Sequence, residues 1–432
     1  MRARLLAACA AACLSGSAIA QGEEKYSFDV GKFEKKAFEL SGYAELRPES
    51  FRLRQDGALY KINYYNRGAR TRLDRTTGAL ELSGLYRRGI ATFNATVHGE
   101  VTRDDLQSGE RARMYEAYLT LEPSNGVRFE AGKRALRWGK GYAWNPVGFV
   151  ERPKDPNDPE LSREGFTLLG GSVTRSFDGP LQTATFSALL VPTSGGMNGD
   201  FGTGNHANPA ARLSVLYRDT DIDFMILGQG ARGTRYGFDF SRNLSTNLEL
   251  HGEWARSHRS TKPVLGAGGA GTQQTGDVTS YLVGLRYLTE RETTWIVEYY
   301  RNGTGYSREQ MRTYLSFAHG AYDQFLATGS TAALERAGAL QTSYGRANPM
   351  RRYLYLRASQ KEPFDILYFT PAVTAIFNLD DRSFSIAPEL AYTGITNLDL
   401  RLRFFAIQGA RLSDFGEKQN DRRIELRVRY YF

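Results

Sequence analysis

The sequence predicts an all-β fold, a transmembrane antiparallel up-and-down β-barrel, and three observations carry that expectation. Strands of roughly ten residues, each with one apolar and one polar face, recur along the chain. The connectors between them alternate between tight turns and long loops. The chain also closes on a strand in which Ile424, Leu426, Val428, Tyr430 and Phe432 alternate with Arg423, Glu425, Arg427, Arg429 and Tyr431. Period two marks a β-strand with two unlike faces. An apolar face opposite a charged one suits a wall with lipid outside and water inside.

The elements follow in order from the N-terminus. Arg2 and Arg4, the apolar stretch from Leu5 to Cys13, and Ala18-Ile19-Ala20 read as a secretory signal over 1–20, cleaved before Gln21. Both cysteines, Cys9 and Cys13, fall inside that segment. The mature chain is therefore expected to have no thiol, which excludes disulfides, cysteine catalysis and thiolate metal sites. Residues 21–37, rich in Glu and Lys, read as a short periplasmic arm. The barrel is expected over 38–432, with 38–66 as one long or broken first strand region. Counting back from the C-terminus gives about eighteen strands (roughly sixteen to twenty), because single-chain barrels favour even counts with both ends periplasmic.

Ala91, Phe93, Ala95 and Val97 alternate with Thr92, Asn94, Thr96 and His98, and Leu398, Leu400, Leu402 and Phe404 with Asp399, Arg401 and Arg403. Tight turns include Pro123-Ser124-Asn125-Gly126, Phe177-Asp178-Gly179-Pro180 and Arg218-Asp219-Thr220-Asp221, which have hairpin-closing chemistry. The long connectors are expected at about 136–163, 192–208, 257–277, 302–350 and 409–421. Within 302–350 the period changes from strand to helix. Ser307 with Gln310 fits a capping box, Met311, Tyr314, Leu315, Ala318, Phe325 and Leu326 mark an apolar face, and Thr331 to Ala339 forms a second helical stretch. Such a loop either folds into the mouth and narrows the pore or packs over the rim as a lid.

Composition agrees with a barrel. Mean hydropathy is −0.46, and no apolar run after the signal is long enough for a spanning helix. Barrels escape hydropathy because only every second residue meets lipid. The formal charge is +9, and most of the basic residues are arginine. On an exported chain this suits solvated rims facing lipopolysaccharide, with no nucleic-acid role; the sharper reading is that some arginines line a lumen.

Strand phase points Arg286, Arg351, Arg357, Arg401, Arg403, Arg423, Arg427 and Arg429 into the lumen as a basic wall. Glu116, Glu130, Glu249 and Glu253 point inward from earlier strands. Opposed walls would set a transverse field, and arginine, always charged and bidentate toward carboxylate and phosphate, could bind and pass anionic solutes. The competing reading is that Arg–Glu pairs on adjacent strands neutralise one another and stiffen the barrel. The loop Arg137-Trp138-Gly139-Lys140-Gly141-Tyr142-Ala143-Trp144 offers Arg137, Trp138, Lys140 and Trp144 as constriction residues. Its tail, Asp155, Asn157, Asp158 and Glu160, supplies oxygen ligands suited to Ca²⁺, without EF-hand spacing, although Pro153, Pro156 and Pro159 equally suit a rigid turn. The histidines are scattered, and G-x-S-x-G, phosphate-loop and zinc-cluster patterns are absent, so neither catalysis nor a cofactor is expected.

At this point the chain resembles bacterial outer-membrane porin-like barrels, particularly the large monomeric ones of the alginate-export and capsule-assembly type. The resemblance rests on the signal, the strand rhythm, the ending Arg429-Tyr430-Tyr431-Phe432 and the Arg137-Trp138-Gly139 motif after an early strand. It implies a Gram-negative outer membrane, contact with lipid and lipopolysaccharide, and recognition of the strand ending in Phe432 by the barrel-assembly machinery. In those relatives an arginine-rich lumen handles an acidic polysaccharide. Here that would rest on Arg401, Arg403, Arg423, Arg427 and Arg429, and the inward glutamates depart from the pattern. The expected function is passive passage of small hydrophilic, including anionic, solutes. Export or surface attachment of an acidic polysaccharide, a membrane sheath for a periplasmic partner protein, and a rim-site hydrolase are the alternatives.

Overall fold

The computed structural model describes residues 36–161 and 163–432. The expected signal and all but the end of the arm lie outside the described residues. The first nine strands are β1 (Phe38–Leu53), β2 (Arg72–Arg88), β3 (Ala91–Asp104), β4 (Ser108–Ser124), β5 (Val127–Arg134), β6 (Phe166–Ser176), β7 (Leu181–Leu190), β8 (Pro209–Tyr217) and β9 (Thr220–Leu227). The second nine are β10 (Arg235–Ser245), β11 (Leu248–Leu265), β12 (Gly271–Leu288), β13 (Thr293–Arg301), β14 (Arg352–Gln360), β15 (Phe369–Asn378), β16 (Ser383–Ile395), β17 (Leu398–Gln408) and β18 (Asn420–Tyr431). Each strand pairs antiparallel with its sequence neighbours, and β1 pairs with both β2 and β18, so the 18-stranded sheet closes. Phe432 joins the seam: its carbonyl accepts from Gly42 N at 3.0 Å and its amide donates to Gly42 O at 3.1 Å.

The alternation read from the sequence becomes an inside-out distribution. Leu402, Ile424 and Leu426 are 44, 51 and 41 % exposed, whereas Arg403, Glu425 and Arg427 beside them are 6, 3 and 4 % exposed. Tyr86, Phe93, Trp295, Tyr392 and Tyr430 stand exposed on the outside. A belt of apolar side chains with aromatics at its edge is a surface that hydrocarbon, not water, covers.

The start of β1 and the end of β18 share one end of the barrel with most of the tight turns, and the long connectors share the other. Two expectations need correction. The 38–66 region is not one broken strand: β1 stops at Leu53 and a helix, α1 (Ala58–Tyr64), follows. Residues 257–277 are not a loop, because β11 and β12 stay paired out to Leu265↔Gly271 as a hairpin longer than its neighbours. Polar, glycine-rich composition suggested a loop, but cross-strand pairs such as Thr261 with Thr275 (Oγ1–Oγ1 3.1 Å) hold a ladder that needs no apolar face.

The 302–350 connector folds as two helices, α2 (Arg308–Thr328) and α3 (Ala332–Tyr344). The capping box forms: Gln310 N donates to Ser307 Oγ at 3.1 Å, and Gln310 Oε1 accepts from Ser307 N at 3.0 Å. The apolar faces of α2 and α3 bury Met311, Tyr314, Leu315, Leu334 and Leu340 in one cluster with Leu59 and Ile62 of α1. The helices thus cover the loop end as a lid, and their cluster continues to Trp144, Tyr353 and Tyr355 on the lumen side. Glu417, from the connector before β18, clamps it by accepting from Ala58 N at 2.6 Å and bonding His319 Nε2 at 3.0 Å, while Lys61 Nζ reaches His319 Nδ1 at 3.1 Å.

Candidate functional site

The 135–165 connector between β5 and β6 turns into the lumen. A segment without regular structure carries unpaired backbone N–H groups, which must find acceptors once buried. Carboxylates on the barrel wall supply them. Glu253 on β11 accepts from Gly141 N at 2.6 Å and Val147 N at 3.2 Å. Glu298 on β13 accepts from Ala143 N at 2.8 Å and also from Tyr142 N, and His251 Nε2 holds it at 2.9 Å. Glu116 on β4 accepts from Ala135 N at 2.9 Å. The approach needs Gly139: at φ +98, a Cβ there would sit 2.7 Å from Glu253 Oε1.

The tryptophans expected at a constriction are anchors instead. Trp138 packs with Val147, Phe149 and Leu168, and Trp144 stacks on Tyr300 at 5.0 Å with Tyr355 edge-on at 5.9 Å. Both are under a tenth exposed, because a large ring buried against the wall is what keeps the loop inside. Lys140 lies 3.4 Å from Asp223. Arg137 is exposed, and no ion pair is found for it among the described residues.

The far arm of the loop crosses to the opposite wall. Asp158 Oδ2 lies 2.7 Å from Arg427 Nη2 and 3.4 Å from Arg403 Nη1. Burial would raise the Asp158 carboxyl, but Arg427 and then Arg403 more than offset it and hold it below the usual carboxylate range. The wall itself is a charge lattice. Arg403 pairs with Glu389 and lies 3.7 Å from Glu425, Arg401 pairs with Asp399 at 3.0 Å, and Arg357 reaches Glu389 at 3.4 Å. Arg423 lies 3.3 Å from Glu49, and Arg429 lies 2.6 Å from Glu45.

Arg357, Arg401, Arg403, Arg423, Arg427 and Arg429 are therefore brought together, but not as a bare basic wall. Their counter-charges come from β1, β16, β17 and β18 and from Asp158, not from the expected acidic side. Glu116 and Glu253 serve the loop amides, Glu130 pairs with Arg134, and Glu249 accepts from Ser241 Oγ at 2.9 Å. Arg286 sits across from Glu249 toward the turn end, apart from the cluster. Arg351 precedes β14 and reaches Gly305 O at 3.4 Å, supporting the lid. The acids missed from sequence, Glu45 and Glu49, carried a signal: with Arg47 they alternate along β1, which a broken first strand obscured.

The calcium reading does not fit the residues. Asp155 Oδ1 accepts from Asn157 N at 2.9 Å, a turn closed on itself, and the Asp158 carboxylate is committed to arginine. Among the described residues no group of three or more His, Cys, Asp or Glu side chains is placed to hold a metal. Two open spaces flank the loop. One, of about 610 Å³, lies toward the turn end between Glu122, Arg128, Arg134, Trp138, Ser187 and Arg212. The other, of about 400 Å³, lies along the arginine wall between Asn157, Gln341, Phe405, Phe415 and Arg423.

The fold and site together define a closed 18-stranded transmembrane-type β-barrel with a loop pinned inside its lumen. No family model matches the chain, and no curated protein matches it. Solved structures similar to it include OccK5 (OpdH) of Pseudomonas aeruginosa, at 13% identity and TM-score 0.49, covering 91% of this chain and 98% of that one. OccD3 (OpdP) of Pseudomonas aeruginosa matches at 11% identity and TM-score 0.46, covering 91% of each chain. A triple mutant of the Rhodopseudomonas blastica porin matches at 10% identity and TM-score 0.44, covering 91% of this chain and 100% of that one.

Proposed function

We propose that the chain is an outer-membrane channel of porin-like type that passes small hydrophilic solutes, anions included, past the contact between its in-folded loop and the arginine wall. The observation that carries this reading is Asp158 of the loop seated on Arg403 and Arg427. A loop tied to both walls divides the lumen into narrower paths, and charges of both signs lining a path stabilise and orient hydrated solutes. In this reading the turn end is periplasmic, the helical lid faces outward, and the seam at Phe432 is what the assembly machinery completes.

Planar-bilayer recording with a salt gradient tests the proposal. Discrete conductance steps with a measurable reversal potential are expected. Silence of the purified barrel, persisting after removal of residues 308–344, would sink it. Export of an acidic polysaccharide is the second reading, favoured by Arg423 lining the space of about 400 Å³ and by Arg401 and Arg427 pairing across the same two strands. A sheath around a folded partner fits less well, because the chain's own loop occupies the lumen.

A further inference from the structure

Most connectors at the turn end are tight and polar. The one between β14 and β15, residues 361–368, is different. Phe364, Ile366, Leu367 and Tyr368 are 91, 48, 63 and 56 % exposed, the densest run of exposed large apolar side chains in a connector among the described residues. Four of its residues, none of them glycine, hold left-handed backbone: Glu362, Phe364, Asp365 and Tyr368, at φ of 47, 60, 58 and 63°. Side chains with a Cβ rarely adopt that region, so surrounding contacts must impose it. Glu362 N donates to Phe369 O at 2.8 Å, Tyr368 N to Glu362 Oε1 at 2.9 Å, and Thr393 N to Tyr368 O at 3.1 Å. Lys361 N donates to Glu292 O at 3.2 Å, tying the segment to the next turn. This is a finger held in place, not a slack loop.

An apolar patch presented on a constrained backbone marks a surface that something other than water covers. Its occupant follows from continuity with the lipid-facing belt. Tyr368 runs directly into Phe369, which pairs with Tyr392, and the same outward face continues through Val373 and Leu390. On the flanking strands Trp295 and Ile395 stand exposed at the same end. Of the finger's three charged side chains, Lys361 lies 3.6 Å from Glu292 and the Glu362 carboxylate accepts from the finger's own backbone, while Asp365 is exposed.

We infer that residues 363–368 are a membrane anchor, lying in the headgroup–acyl boundary of the leaflet at the turn end with Phe364 and Leu367 among phospholipid chains. The anchor extends the aromatic edge of the belt on one side of the barrel and fixes how that side sits in the bilayer. This rests on the membrane reading of the barrel and is independent of whether the lumen conducts.

Nitroxide labels test it. With Cys9 and Cys13 replaced by alanine, Phe364→Cys and Leu367→Cys are labelled in the full chain. Leu390→Cys serves as a belt control, and Asp178→Cys as a polar-turn control. In phosphatidylethanolamine–phosphatidylglycerol vesicles, collisions with oxygen should exceed those with a water-soluble nickel chelate several-fold at 364 and 367, as at 390, and the order should reverse at 178. Labels at 364 and 367 that follow 178 while 390 stays lipid-like would overturn the anchor alone. Water-like labels that become shielded on adding periplasmic extract would also overturn it, pointing to a protein occupant. A water-like label at 390 as well would bring down the membrane reading on which the anchor rests.

Discussion

Asp158, from the loop, and Arg427, from the last strand, meet at 2.7 Å although 269 residues separate them in the chain. The contact ties the in-folded loop to the strand next to the barrel seam. It also places a negative charge among the arginines of the lumen wall.

Asp158→Asn should shift the reversal potential toward anions, because Arg403 and Arg427 lose their shared counter-charge while the loop keeps its anchors on β11 and β13. The pH dependence follows from the direction of the shift. A carboxyl held below its unfolded value contributes stability that is fully present above roughly pH 3.9 and is lost as pH falls through the lowered folded pKa. Wild type should therefore acquire the mutant's anion preference only in strong acid. No difference between wild type and variant at neutral pH would count against Asp158 as the selecting charge.

Glu298→Ala should loosen the loop. Tyr142 N and Ala143 N would lose their acceptor, at roughly 1–3 kcal/mol for each buried group left unpaired. The expected signature is a lower melting temperature of the heat-modifiable band on gels, with noisier conductance. Glu298→Gln, which keeps one acceptor oxygen but turns an NH2 toward the other amide, should recover only part of both.

Trp144→Ala should cost about 3–5 kcal/mol, the usual penalty for emptying a packed aromatic site, since the ring lies among Tyr300, Tyr353 and Tyr355. Arg137→Ala should leave stability within about 0.5 kcal/mol, as for other exposed, unpartnered positions. Denaturant unfolding in detergent compares the two, and equal effects would contradict the assigned burial.

Acid should release the lid. Burial pushes the Glu417 carboxyl up, but the bonds from His319, Leu412 N and Ala58 N outweigh it and leave it below its usual range. Its clamp on α1 and α2 is then intact above the unfolded carboxylate range of roughly 4.3 and is lost as pH falls through the lowered value. Glu417→Gln should reproduce the acid state at neutral pH, read as faster proteolysis between residues 308 and 344 with the barrel intact.

Much of the fold was legible because alternation is local. Ile424, Leu426 and Val428 declare a lipid-facing side whatever they pair with, and Ser307 with Gln310 declares a helix start within one turn. The first strand was misjudged because the helical run Ala58–Tyr64 follows β1 after a short break, so their patterns merged. The outer half of the β11–β12 hairpin was misjudged because strand pairing there is carried by backbone and hydroxyl contacts, which leave no apolar rhythm.

The sequence by itself determined the strand faces and the inward direction of the C-terminal arginines, since both follow from period-two order within one strand, and the recurrence of such strands between alternating short and long connectors pointed to a barrel. Only the tertiary structure decided what those arginines meet. Closure sets Glu45 opposite Arg429 and Glu49 opposite Glu425, and the folded loop delivers Asp158 to Arg403 and Arg427. Such pairings depend on barrel register and loop path, which bring together residues hundreds of positions apart and leave no trace in local periodicity.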